Sequence, residues 1–516
     1  MNGAQALIRT LIASGVDTCF MNPGTSEMHF VAALDAVPEM HSVLALFEGV
    51  ATGAADGYGR MADRPAATLL HLGPGLGNGL ANLHNARKGH TPIVNIVGDH
   101  ATYHKQYDAQ LESDIETVAR NVSSFIRSSA KTEEVGADAA DAVAAAFGPP
   151  GQVATLILPA DISWGEGGEP APPKLPTART VASDSSIRAI ADALRSGEPA
   201  LLLVGGTACR DASLALARAI ADATGAELLC ETFPSRLERG AGRVAVDRVQ
   251  YLAEFAAKQL EGTRHLVLID AKAPVSFFAY PDKASWLSPD GCEVHTLAGT
   301  ADDALGSLSA LADALGATAA PARQELARPE LPTGPLTAMA VCSALGALLP
   351  EGAIVSDEGN TSGLFAAGAT SGAPPHDWLT LTGGAIGQGL PVAVGAAVAC
   401  RDRRVIALES DGSAMYTLQA WWTMAREGLD VTTILFNNGS YAVLNMELNR
   451  VGAEAGPRAK EMLDIRRPDL DFVALATGMG LTASRATTAE EFNDQFARAL
   501  TTPGPSVVEA VVPSIV

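Results

Sequence analysis

Positive charge is scarce in this chain of 516 residues. Thirty-six lysines and arginines stand against 58 aspartates and glutamates, a net charge of −22. That balance excludes nucleic acid and anionic membrane surfaces as partners. It leaves the substrate open, because a site can be locally positive. Cysteine is scarce too: the 6 residues, Cys19, Cys209, Cys230, Cys292, Cys342 and Cys400, are widely scattered and form no C-x-x-C. A cysteine zinc site is thereby excluded, and a reducing, cytoplasmic compartment is expected. The N-terminus, MNGAQALIRTLIASG, lacks the basic-then-apolar pattern of a signal peptide. Residues 378–400 carry no charge, but glycines, Pro391 and Gln388 interrupt them. They read as buried sheet and helix, not as a membrane span.

What is present is a globular composition, 47% apolar and 18% charged, at a length that calls for two to four domains. Strand-like runs at 16–21, 43–47, 66–72, 92–97 and 153–158 alternate with helical stretches, the pattern of a parallel α/β sheet. A segment rich in Pro, Gly and Ser over about 165–186 reads as a linker, and an Ala/Pro-rich stretch at 317–335 as a second. Between them lie strand-like runs near 200–204, 227–230, 265–269 and 293–297. The fold class expected is therefore α/β, with three doubly wound parallel-sheet domains at 1–168, 185–318 and 335–516.

The densest signal lies at 405–441, VIALESDGSAMYTLQAWWTMAREGLDVTTILFNNGSY. It reads as a βαβ unit whose two parallel strands end in Asp411-Gly412-Ser413 and Asn437-Asn438-Gly439-Ser440. Ligands of open α/β sheets sit at that carboxyl end. Asp411 offers a carboxylate oxygen, Asn438 an amide oxygen and Ser440 a backbone carbonyl, a hard set that suits Mg²⁺ beside a phosphate. Ser413 and its helix offer hydroxyl and N–H donors. Each dipeptide alone is an ordinary turn signal. Their pairing at both strand ends of one unit points to a magnesium-diphosphate site.

The pairing resembles the thiamin diphosphate signature, G-D-G followed by N-N, and the rest of the chain resembles the same family. Glu48, in LALFEGVATGAADGYGRMA, stands where the family places the glutamate that drives the cofactor's aminopyrimidine into its imino tautomer. The chain is similar over its whole length to the acetolactate synthase, benzoylformate decarboxylase and pyruvate oxidase group. The turn NPGTSE and the run ending in His71 lie closest to the 2-oxo-acid decarboxylases. The resemblance implies pyrimidine-binding, central and diphosphate-binding domains in that order. It implies Asp411, Asn438 and Ser440 as Mg²⁺ ligands, and Asn360, Thr361, Gly412, Ser413 and Tyr441 around the diphosphate. Gly384 would accept from the 4′-amino group and Ile386 would prop the cofactor into its bent form. Thr25 and His71 would face substrate; His100 and His104, on a loop, read as solvated.

The activity implied is decarboxylation or carboligation of a small 2-oxo acid through an enamine, in a homodimer or homotetramer where Glu48 and Asp411 meet across a subunit boundary. A 2-hydroxyacyl-CoA lyase and a non-catalytic cofactor binder are the alternatives. Several features depart from the family. Ser410 replaces the first glycine of G-D-G, which would cost about 1 kcal/mol if φ there is positive. Gln110-Leu111-Glu112 stands near where acetolactate synthases carry F-Q-E. The second histidine of benzoylformate decarboxylase is missing around Phe277-Phe278-Ala279-Tyr280. No decisive motif for FAD stands in the central domain. The glycines 73–79 fail G-x-G-x-x-G, since the last position falls on Asn78 or Leu80, which argues against a nicotinamide enzyme.

Overall fold

A computed structural model describes residues 1–514. The first sheet holds β1 (Thr18–Asn22), β2 (His41–Leu44), β3 (Ala66–Leu70), β4 (Ile93–Asp99), β5 (Phe125–Ser128) and β6 (Val153–Pro159). They lie in the order β2-β1-β3-β4-β6-β5, all parallel. β3, β4 and β6 are buried along their whole length, as strands covered by helices on both faces must be.

The second sheet contains β7 (Ala200–Val204) and β8 (Glu227–Cys230). β9 (Leu237–Arg239) follows in the chain but leaves this sheet. β10 (Asp247–Arg248), β11 (His265–Ile269) and β12 (Glu293–Ala298) complete it in the order β10-β8-β7-β11-β12.

The third sheet is built from β13 (Ile354–Glu358), β14 (His376–Leu379), β15 (Val405–Ser410), β16 (Val431–Asn437), β17 (Thr482–Ala486) and β18 (Ser506–Val511). Its order is β17-β18-β16-β15-β13-β14-β9. Counted in chain order and read from the other edge, its six parallel strands run 2-1-3-4-6-5, the order of the first sheet. β9 joins the far edge antiparallel to β14, with Leu237 opposite Trp378. A strand from the middle of the chain thus belongs to the third sheet.

The first and third units meet through two helices of small residues, Glu48–Ala62 and Gly389–Ala399. A Cβ on Gly395 would lie 1.8 Å from the Ala54 carbonyl oxygen, and one on Gly57 2.1 Å from that of Val392. The glycines let the two backbones touch. Asp56 holds Arg60 by paired bonds of 2.8 and 2.6 Å, and Arg60 donates on to the Thr380 carbonyl at 2.7 Å. An ion pair buried between the units is therefore fully hydrogen-bonded, the condition for burying it.

Candidate active site

The carboxyl ends of β15 and β16 put the acidic turn and the asparagine turn side by side. β16 pairs with β15 in parallel register, Ser410 opposite Phe436. Asp411 follows at the start of the helix Asp411–Thr417 and is buried. Its Oδ1 accepts from the Gly412 amide at 2.8 Å, and its Oδ2 from the amides of Asn438 and Gly439 at 2.9 and 2.6 Å. Burial raises this carboxyl above its ordinary range, and the three amides pull it back. A carboxylate has about four lone-pair directions, so one remains for a cation. Asn438 Oδ1 accepts from the Ser440 amide at 3.0 Å, and the Ser440 carbonyl accepts from the Ala442 amide at 2.8 Å. The three groups form an all-oxygen set, which fits a hard cation such as Mg²⁺.

Ser410 has φ −101° and ψ 150°, ordinary extended backbone. No positive φ is needed, so the serine costs no strain. Its hydroxyl instead receives the Asn360 side-chain amide at 3.2 Å, and Asn360 itself takes φ +45° to reach it. Gly412 is required: a Cβ there would sit 2.5 Å from the Tyr441 ring. Ser413 turns its hydroxyl inward, donating to Glu409. Thr361 leads into the turn Ser362–Phe365, and Ser362 Oγ receives Asn438 Nδ2 at 3.3 Å. A cavity of about 440 Å³ opens beside Ser440, lined also by Lys460, Arg466 and Arg467.

Two buried acids, absent from the sequence-based site, support the adjoining loop. Glu358 accepts from the amides of Gly387 and Gly389 at 2.7 and 2.5 Å. Burial pushes its carboxyl up to about 7 against those bonds. Glu409 lies beside it and is raised by burial first and by Glu358 second. Its Oε2 is buried without a partner among the described residues. The loop so held carries Gly384 at φ +73° and Gly387 at φ +90°, with the half-buried Ile386 between them. Phe277 presses on Gly384, its ring 2.5 Å from where a Cβ would be. Phe277 in turn meets Phe278, Tyr251 and Phe233 at centroid distances of 4.9, 5.3 and 5.9 Å.

In the first unit Glu48 opens its helix, buried, where the helix dipole favours a carboxylate. Asn78 Nδ2 donates to Glu48 Oε2 at 3.0 Å. Glycines 73–79 form no loop: they lie in the helix Leu72–Lys88, which follows β3 at once. They serve close packing, Gly75 under the Glu48 carboxylate and Gly79 against Thr52. His71 precedes this helix, with Nδ1 2.8 Å from Glu27 Oε2. Glu27 is buried, and also receives the Gly24 amide at 2.7 Å. Burial raises its carboxyl, and His71 opposes the rise. Thr25, in the turn NPGTSE, is exposed. Glu27, two residues on, is the one that holds the imidazole. Asn82 links the first and third units of the chain, donating to the carbonyls of Gly49 at 2.8 Å and Gly387 at 3.1 Å. The rings of His100 and His104 lie 5.3 Å apart and tilted by 52° beyond β4, and Glu112 pairs with Lys105 at 3.3 Å.

Two family models match this chain. One is the N-terminal TPP binding domain of thiamine pyrophosphate enzymes, over residues 1–120; the other is the C-terminal TPP binding domain, over 357–510. The chain is 60% identical to the Mycobacterium tuberculosis protein named "Putative acetolactate synthase large subunit IlvX", with 100% of both chains covered. It is 28% identical to a benzoylformate decarboxylase of Pseudomonas aeruginosa over 97% of each. Its fold matches a thiamine diphosphate-dependent 4-hydroxybenzoylformate decarboxylase of Rhodococcus jostii with a TM-score of 0.86, at 23% identity over 99% of both. With the signature turns at adjacent strand ends and both binding units matched, the chain belongs to the thiamine pyrophosphate enzymes.

Proposed function

We propose that the protein is a Mg²⁺-dependent decarboxylase or carboligase of a 2-oxo acid, assembled as a homodimer or homotetramer. The observation that carries the reading is the oxygen set of Asp411, Asn438 and Ser440 beside a glycine-lined cradle. Three amides fix the Asp411 carboxylate before any ligand arrives, and the ring of Tyr441 closes over Gly412. Asp411, Asn438 and the Ser440 carbonyl hold the cation, while Asn360, Thr361 and Gly412 border the diphosphate. With the cofactor bound, the Gly384 carbonyl would accept from its 4′-amino group and Ile386 would pack against it. Thiamin diphosphate bound there supplies an electron sink for the bond between the keto carbon and the carboxylate. Glu48, held by Asn78, keeps a proton at the pyrimidine ring nitrogen. His71, held by Glu27, presents its remaining nitrogen for proton transfer to substrate.

The aromatic group of Phe277, Phe278, Phe233 and Tyr251 beside Gly384 favours a donor with a large apolar or aromatic side chain. Among the described residues no helix is long and apolar enough to cross a membrane; we place the enzyme in the cytoplasm. The test is CO₂ release and product mass with thiamin diphosphate and Mg²⁺, against pyruvate, benzoylformate and longer 2-oxo acids, each alone and with an aldehyde. Free aldehyde marks a decarboxylase and a ligated product a carboligase. Glu48→Ala is expected to retain cofactor and lose about a hundredfold or more of turnover. Full activity in that variant overturns the assignment.

A further inference from the structure

We propose that His265, His295 and Glu293 form a binding site for a divalent transition-metal ion of the Zn²⁺ class, at the amino end of the central sheet. The site follows from strand register. β11 and β12 are parallel, with His265 opposite Glu293 and Val267 opposite His295. Side chains two apart on a strand share a face. All three ligands therefore stand on one face, at the sheet edge. The distances agree: His265 Nδ1 lies 3.1 Å from His295 Nε2 and 3.8 Å from Glu293 Oε2, and His295 Nε2 lies 3.9 Å from the same oxygen. Three atoms so spaced can share one cation at ordinary metal–ligand lengths of about 2.0–2.2 Å.

A fourth residue supports the geometry. Glu198, on the turn before β7, accepts from His265 Nε2 at 3.0 Å. The proton is then on Nε2, and Nδ1 turns a lone pair toward His295 and Glu293. A carboxylate on the outer ring nitrogen is the arrangement that orients metal-bound histidines and raises their basicity. His265 is buried and His295 half-buried, while Glu293 is exposed, so an ion can enter from solvent. Two imidazoles and one carboxylate select zinc, nickel or copper over magnesium. This is the one cluster of three such ligands among the described residues. It lies at the opposite end of the strands from the turn that carries Gly206 and Thr207. The rival account of the 3.1 Å contact is a hydrogen bond between the two rings.

The experiment uses the full-length enzyme saturated with thiamin diphosphate and Mg²⁺, titrated with Zn²⁺ against a chromophoric chelator. One zinc per chain is expected, undisturbed by excess Mg²⁺. His295→Ala and Glu293→Gln should each weaken it at least about tenfold, and Glu198→Gln about tenfold. Zinc should also raise the melting midpoint of the wild type and leave that of His295→Ala unmoved. Glu293 is exposed, so its variant keeps the test decisive should loss of His295 disturb folding. Equal zinc affinity in the wild type and Glu293→Gln, or no zinc bound in the wild type, overturns the proposal in favour of the ring–ring hydrogen bond.

Discussion

Glu27 does for His71 what Asn78 does for Glu48: each fixes one side of a group whose other side is left for the proposed reaction. Gly98 and Gly24 let the Glu27 carboxylate and the His71 ring pack against bare backbone. A Cβ on Gly98 would lie 1.7 Å from Glu27 Oε1, and one on Gly24 2.3 Å from the His71 ring. Glu27→Gln keeps the volume and removes the carboxylate that His71 Nδ1 faces. Turnover should fall about tenfold or more with KM little changed, since proton transfer by a positioned side chain contributes 10²–10⁴-fold. Steady-state kinetics on the best 2-oxo acid checks this; an unchanged kcat would make the pair purely structural. Residues of this kind are the hardest to read in a sequence. Glu48, Asp411 and Asn438 announce themselves by their place at strand ends. Glu27, Glu358 and Glu409 do not, because what a buried acid does depends on what faces it. Glu409 looks like any strand residue until Glu358 stands beside it.

The helices Glu48–Ala62 and Gly389–Ala399 set how the first and third units of one chain meet, and Asn82 bridges them. In a solvent-facing helix Gly→Ala gains roughly 0.5–1 kcal/mol. Gly395→Ala should do the reverse, costing about 1–3 kcal/mol as the added methyl forces the backbones apart. Thermal melting decides the sign. β14 offers a second test. His376, buried, donates Nδ1–H to the Pro374 carbonyl at 2.7 Å, and burial, with Arg239 nearby, pushes its pKa down to about 4. The ordinary value is near 6.5, so the unfolded chain binds the proton first. Stability is then full above about 6.5 and is lost as pH falls toward 4, by roughly 2 kcal/mol at pH 5. His376→Asn removes the titration and should flatten that part of the melting-point profile. At this scale the sequence was legible where strands are long and apolar. It was opaque at β5, whose FIRS is half-polar, and at residues 73–79, a glycine-rich run that packing folds as helix.

The strand order 2-1-3-4-6-5 occurs twice in one chain. If the proposed dimer draws each site from two subunits, a sharp prediction follows. Glu48→Ala and Asp411→Ala should each be inactive alone. Unfolded, mixed in equal amounts and refolded, they should recover about a quarter of wild-type activity, because half the dimers are mixed and each holds one intact site. No recovery would mean that both residues serve the same subunit's site. The repeated order could not be read from residue patterns, since strand order is fixed by which helices cover which face. β9 was invisible for the same reason: three residues inside what reads as the central domain pair with β14 instead. That short strand makes the middle of the chain a fastener as well as a spacer. Excise 185–318, or exchange it for the corresponding segment of a relative without a matching strand, and the flank of β14 is laid bare as a row of unpaired amides and carbonyls. Such a chimera would adhere to its own copies, because an open sheet edge is a template for the next chain.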